Sequence, residues 1–100
     1  MPDDPDVEAA GALELPITGE LDLHAFAPRD VPSVVEEYLR VCRANGIGVV
    51  RLIHGRGRGV QRAEVRRVLA RLPEVSGFDD APPASGGWGA TLVMLRPPPE

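Results

Sequence analysis

A chain of 100 residues makes one domain, below the length at which a hydrophobic core divides. With 43% hydrophobic and 26% charged residues it has the balance of a soluble globular protein, which excludes a wholly disordered chain. The net charge is −4, Cys42 is the single cysteine, the opening is acidic, and no apolar run nears the roughly 20 residues of a membrane span, so disulfides, multi-cysteine zinc sites, membrane insertion and a signal peptide are not expected and a reducing cytoplasm is.

Residues 1–14 carry Asp3, Asp4, Asp6, Glu8 and Glu14 without one base, show no periodicity, and read as a disordered acidic tail. A domain is expected over residues 15–96. Leu21 to His24 reads as a first strand, extending back towards Leu15. Val31, Val34, Val35, Tyr38, Leu39 and Cys42 recur at helical spacing, with Asp30 as the expected N-cap and Gly46 as the stop. Val49 to Ile53 is β-branched and apolar, the pattern of a buried strand. His54 to Gly59 alternates with glycine and must be a loop. Val65, Val68, Leu69 and Leu72 mark one face of a second helix, closed by Pro73. Val75 to Asp79 and Ala90 to Leu95 are the last strands, separated by a proline- and glycine-rich loop. Residues 97–100 form a proline-rich tail. The order is βαβαββ, which predicts a two-layer α/β sandwich: a four-stranded mixed sheet with two helices on one face.

Ligands of open α/β sheets gather beyond the carboxyl ends of parallel strands. Two polar clusters fall there. Asp22 and His24 end strand one and share parity, so they are expected on one face while Leu21 and Leu23 take the other. His54 ends strand two and continues its buried face. Whether His24 and His54 converge depends on how the strand ends twist, and the sequence leaves that open. Gly55, Gly57 and Gly59 permit left-handed backbone and close approach of an anion to main-chain N–H groups. The helix start behind them is electropositive, and Arg56 and Arg58 add full charges. The loop therefore reads as a phosphate site, against the alternative of a flexible basic turn. It lacks the Lys-Ser/Thr ending of a nucleotide-binding P-loop.

Residues 51–71 hold seven arginines and one acid, whereas residues 1–22 hold seven acids and no base. The chain is a charge dipole with a basic middle, which points to an anionic partner. Arg62 and Arg66, one turn apart, could extend the basic surface; Arg67 and Arg71 read as a solvated face. Trp88 could stack on an unpaired base or pack over the edge of the core. Cys42 reads as a core thiol.

Three ordered motifs resemble a known family. Leu-Asp-Leu-His closes strand one, His-Gly-Arg-Gly-x-Gly precedes helix two, and Gly-Gly-x-Gly-Ala-Thr precedes the last strand. Together they resemble the Smr (small MutS-related) domain, short stand-alone bacterial type. The resemblance implies a sandwich akin to the C-terminal domain of translation initiation factor three. It also implies binding of DNA or RNA, with nicking endonuclease activity in several members. Mapped residue by residue, it makes Asp22, His24 and His54 the candidate catalytic residues. Gly55, Arg56, Gly57, Arg58, Gly59, Arg62, Arg66, Gly86, Gly87, Trp88, Gly89 and Thr91 are the candidate nucleic-acid contacts. Ala25 stands where members often have glycine, and Gln61 where they have leucine.

Hydrolysis of a phosphodiester needs a base, donors for the developing charge and help for the leaving oxygen. Histidine and a glycine loop suit those tasks, in a setting such as DNA repair or recombination. Asp22 with the two histidines could also form an open site for a divalent metal ion, the cofactor that this chemistry would admit. The partners expected are DNA or RNA, with no membrane and no small-molecule substrate. A non-catalytic nucleic-acid-binding module and a protein-interaction domain are the alternatives.

Overall fold

The computed structural model describes residues 17–57 and 59–99. The expected acidic tail over 1–14, the first residues of the expected strand, Arg58 and Glu100 lie outside the described residues. Four strands form one sheet: β1 (Glu20–Asp22), β2 (Val49–Ile53), β3 (Val75–Asp80) and β4 (Ala90–Leu95). The helices are α1 (Val31–Ala44) and α2 (Val60–Ala70). The sheet order is β1-β2-β4-β3, with β1 parallel to β2 and the other pairs antiparallel. This is the mixed four-stranded α/β architecture that the hydrophobic periods predict.

Alternation decides which face is covered. Val50 and Leu52 of β2 and Val93 and Leu95 of β4 point to the helices and are buried. Val31, Val35, Tyr38, Leu39 and Cys42 of α1 meet them, as do Val65, Val68 and Leu69 of α2, in one continuous core. Each such side chain contributes about 1.5–3 kcal/mol by leaving water, so this face sets the register of the whole sheet. The opposite face is only part-covered; Val49, next in sequence to a wholly buried Val50, is 54% exposed. Tyr38 adds a polar anchor, its hydroxyl donating to the Glu20 carbonyl at 2.9 Å and so tying β1 to α1.

Three expectations need correction. Strand one ends at Asp22, and Leu23–Ala25 form a 3₁₀ turn instead. The Asp22 carboxylate accepts the His24 backbone N–H at 2.9 Å, a local bond that competes with the sheet ladder and turns the chain. Residues 17–19 are not strand either. Asp30 stands at the N-cap of α1 but makes no capping bond, because a 3₁₀ turn over Pro28–Asp30 feeds directly into the helix. Finally, β3 runs one residue further, to Asp80, and the loop after it contains two short 3₁₀ turns, Pro83–Ser85 and Gly87–Gly89.

Candidate nucleic-acid interface

Parallel pairing of β1 with β2 sets Asp22 opposite Ile53, so the two polar clusters emerge side by side at one sheet edge. The 3₁₀ turn, rather than strand parity, joins Asp22 to His24. His24 Nδ1 lies 2.7 Å from Asp22 Oδ1, and both side chains are about three-fifths exposed (62% and 61%). A carboxylate can only accept, so Nδ1 carries the proton and Nε2 is left with its lone pair. The bonds from His24, backbone first and ring second, hold the Asp22 carboxyl below the ordinary carboxylate value of 3.8. The Asp22 carboxylate is therefore charged at neutral pH and holds the His24 ring in one orientation.

His24 Nε2 is aimed over the glycine loop. A Cβ built on Gly55 would lie 2.7 Å from that nitrogen, closer than a carbon can approach without displacing the ring. Gly55 also has φ +82°, where side chains are strained. Both facts require glycine here. The position lets the imidazole lie against the first glycine of the loop.

His54 has the opposite environment. It continues the Val50 and Leu52 face, is buried, and uses both ring nitrogens. Nδ1–H donates to the Gly55 carbonyl and Nε2 accepts the Thr91 hydroxyl, each at 2.9 Å. Burial, first of all, pushes its pKa below 6.5, with Arg62 and Arg66 acting in the same direction, so the ring is neutral at pH 7. His24 and His54 share Gly55 as a neighbour but do not face a common point. Asp22, His24 and His54 are thus not gathered as three metal ligands, and among the described residues no group of three or more His, Cys, Asp or Glu could hold a metal ion. Thr91 needs the same correction as a nucleic-acid contact: it is wholly buried, with His54 on its hydroxyl.

The late glycine motif supports the loop from behind. The Gly89 carbonyl accepts the N–H groups of His54 at 3.1 Å and Gly55 at 2.8 Å. Gly89 is itself buried, and the Arg56 stem crosses it, with Cγ 3.3 Å from where a Cβ would stand. Gly87 similarly leaves room for the Arg56 guanidinium, and Gly86 packs on Ala90. Gly57 is exposed at the tip, while Gly59 sets the left-handed turn into α2 with φ +82°. Arg56 is exposed, and none of the ion pairs among the described residues involves it.

Arg62 and Arg66 do lie beside the loop, but a residue the sequence reading missed holds both. Asp80 accepts Arg62 Nη2 at 2.8 Å and Arg66 Nη2 at 2.6 Å. Its carboxyl is lowered below 3.8 chiefly by the Arg62 bond. The signal was present as the acidic pair Asp79-Asp80 ending a strand, yet nothing in one sequence says which arginines it meets. Arg62 also covers the Trp88 ring, 4.7 Å from its centroid. Arg67 and Arg71 are exposed, as expected for a solvated face, and pair with Glu64 and Glu36. Arg51 pairs with Glu20 and donates to the Ser85 carbonyl at 2.7 Å, bracing the late loop from β2. Among the described residues no helix is long and apolar enough to cross a membrane.

Against known proteins, the Smr domain family profile matches residues 21–96. Over 78% of the chain the sequence is 41% identical to Endonuclease MutS2 of Thermus thermophilus, and over 77% it is 38% identical to Endonuclease MutS2 of Carboxydothermus hydrogenoformans. In each case the chain spans about a tenth of the relative's length. The crystal structure of the Smr domain of Thermus thermophilus MutS2 superposes with a TM-score of 0.74, covering 78% of this chain and 98% of that one. YdaL, a stand-alone small MutS-related protein from Escherichia coli, superposes with a TM-score of 0.73 at 30% identity, covering 78% of this chain and 64% of that one.

Proposed function

The chain belongs to the Smr domain family, and from that premise we propose that it binds DNA or RNA at the glycine loop and nicks the phosphodiester backbone there. The observation that carries this reading is the Asp22–His24 pair, exposed and oriented, with Nε2 directed over Gly55 at the mouth of the loop. A phosphate at the loop would meet the Arg56 guanidinium and main-chain N–H groups, with the electropositive start of α2 behind them. His24 Nε2 takes the proton of an attacking water as its oxygen bonds to phosphorus. The bond from phosphorus to the leaving oxygen breaks, and that oxygen receives a proton from solvent. Asp22 stabilises the imidazolium so formed, and the loop donors stabilise charge on the phosphoryl oxygens. His54 is assigned a positioning role, holding the Gly55 carbonyl and thereby the bend of the loop. Similarity to the MutS2 endonucleases of Thermus thermophilus and Carboxydothermus hydrogenoformans supports the reading.

The test is incubation of the purified chain with supercoiled plasmid, branched DNA and structured RNA, with and without chelator. Conversion of supercoiled plasmid to open circle, or cleavage of either other substrate, is expected. His24→Ala should reduce the rate about 100-fold or more while binding persists. No cleavage of any substrate by the wild type, or unchanged turnover by His24→Ala, overturns the hydrolytic part. A second reading, binding without cleavage, is favoured by one observation: both ring nitrogens of His54 are occupied, so a single imidazole faces the loop.

A further inference from the structure

Trp88 takes no part in the proposed hydrolysis. Among the described residues three large hydrophobic side chains are exposed, and two of them, Trp88 (41%) and Val60 (72%), lie beside the last glycine of the loop. Trp88 touches Gly59, where a Cβ would lie 3.0 Å from Cη2, and Val60 follows Gly59 directly. A ring in that position is not left to swing. Arg62 lies over one face, and Arg62 is itself fixed by two bonds to Asp80, at 3.2 and 2.8 Å. Gly59 can approach the tip of the ring because it has no side chain.

We propose that Trp88 is a stacking platform for one unpaired nucleobase, which makes nucleic acid with an unpaired nucleotide the substrate class of this site. The proposal rests on the nucleic-acid-binding reading above and adds which form is selected. Arg62 occupies one face of the indole, so a base takes the other. The guanidinium polarises the ring and its charge favours the nearby phosphates. Arg56 supplies the second half of a nucleotide site. Its guanidinium runs past Gly87, the residue before Trp88, with Nη2 3.3 Å from where a Gly87 Cβ would stand. A nucleotide stacked on Trp88 therefore has an arginine beside its backbone. A paired base inside a duplex is already stacked on both faces and cannot take this position without being unpaired.

Trp88 is the chain's one tryptophan, so the protein's indole emission reports on this position alone. The full chain is titrated with short unpaired DNA and RNA strands and with a blunt DNA duplex. Trp88 emission and the anisotropy of a labelled strand are followed together. Unpaired strands should quench the emission. Trp88→Ala should weaken their binding about ten-fold, and duplex binding less than two-fold. Trp88→Phe, which keeps an aromatic face, should restore most of the affinity, and far-ultraviolet circular dichroism shows that each variant is folded. Rising anisotropy with unchanged emission overturns the stacking proposal alone, as does an equal loss on strands and duplex. No rise in anisotropy with any nucleic acid overturns it together with the binding reading on which it rests.

Discussion

Two histidines end neighbouring parallel strands of this domain, and their surroundings have opposite effects. His24 sits on a solvated 3₁₀ turn, paired to Asp22 and with Nε2 unencumbered by that pairing. His54 sits one strand inward, buried, with a hydrogen bond at each ring nitrogen. The same side chain is thus exposed in one place, and in the other buried with both nitrogens engaged. What separates them is a single step in the sheet. β1 is an edge strand of three residues, while β2 is flanked on both sides. Residue type and position along a strand are therefore insufficient to assign chemistry; burial and spare hydrogen-bonding capacity decide it.

Deleting each imidazole in turn and measuring both activity and stability separates the two roles. His24→Ala is expected to lose about 100-fold or more in nicking rate, yet change unfolding free energy by less than about 0.5 kcal/mol, as for exposed substitutions generally. His54→Ala should cost about 2–3 kcal/mol in urea unfolding, since it leaves the Thr91 hydroxyl and Gly55 carbonyl short of a partner and opens a gap. If His54→Ala unfolds like the wild type and fails only in cleavage, the positioning role is wrong.

A smaller effect is expected at Gly55, the neighbour that the two histidines share. Gly55→Ala places a methyl group against His24 Nε2 and strains a backbone at φ +82°. About 1–2 kcal/mol of stability should be lost to the left-handed backbone, together with about ten-fold in rate from displacement of the ring. Retained activity in Gly55→Ala would show that the ring need not lie over the loop.

Charge reversal extends the same contrast between engaged and available groups to the arginines. Arg56→Glu should weaken nucleic-acid binding about ten-fold at physiological salt, whereas Arg67→Glu, on the solvated face, should change it less than two-fold. Fluorescence anisotropy over a salt series measures both. Equal losses would mean that the basic surface acts as a whole and the loop is no site.

The smallest effect is a matter of pH. His54 titrates below 6.5 in the folded protein and near 6.5 when unfolded, so the unfolded chain binds more protons as acid is added. The stability held by neutral His54 is therefore present above pH 6.5 and falls as pH drops through its lower folded value. Asp22 and Asp80, both shifted below 3.8, lose their contribution only under more acid conditions. Denaturation midpoints between pH 7 and about 5 should decline in the wild type and stay flatter in His54→Gln. A flat wild-type profile would contradict the buried, neutral state of His54.

Much of this was legible before any coordinates. The β-branched run at Val49–Ile53 marks a strand and the helical recurrence from Val31 to Cys42 marks the core face of a helix, whereas the exposure of Val49 beside a buried Val50 appeared only in the fold. Glycines alternating with arginines after a strand mark a basic loop with access to left-handed backbone. The loop and both polar clusters were visible for the same reason: residue type restricts backbone and charge locally. The finer site was not. Asp22 turns its own strand by bonding to the His24 N–H, which changes the path by which the pair meets without separating it. Asp80 reaches back to Arg62 and Arg66 across a separation of 18 and 14 residues, and Thr91 reaches His54 across 37.

Residue order alone fixes the four strands and two helices to within a few residues, the core face of each helix, and a basic glycine loop after the second strand. Those properties arise from side-chain volume, hydrophobic period and backbone freedom, all written in neighbouring residues. Packing of the sheet and helices sets which histidine faces solvent, which arginines are engaged by a carboxylate, and that Trp88 has Gly59 at the tip of its ring and Arg62 over one face. Those properties depend on partners distant in the chain, whose approach is set by how the sheet and helices pack. Whether a titratable group is free to react depends on that packing, because burial and hydrogen bonding act on it through space and not along the chain.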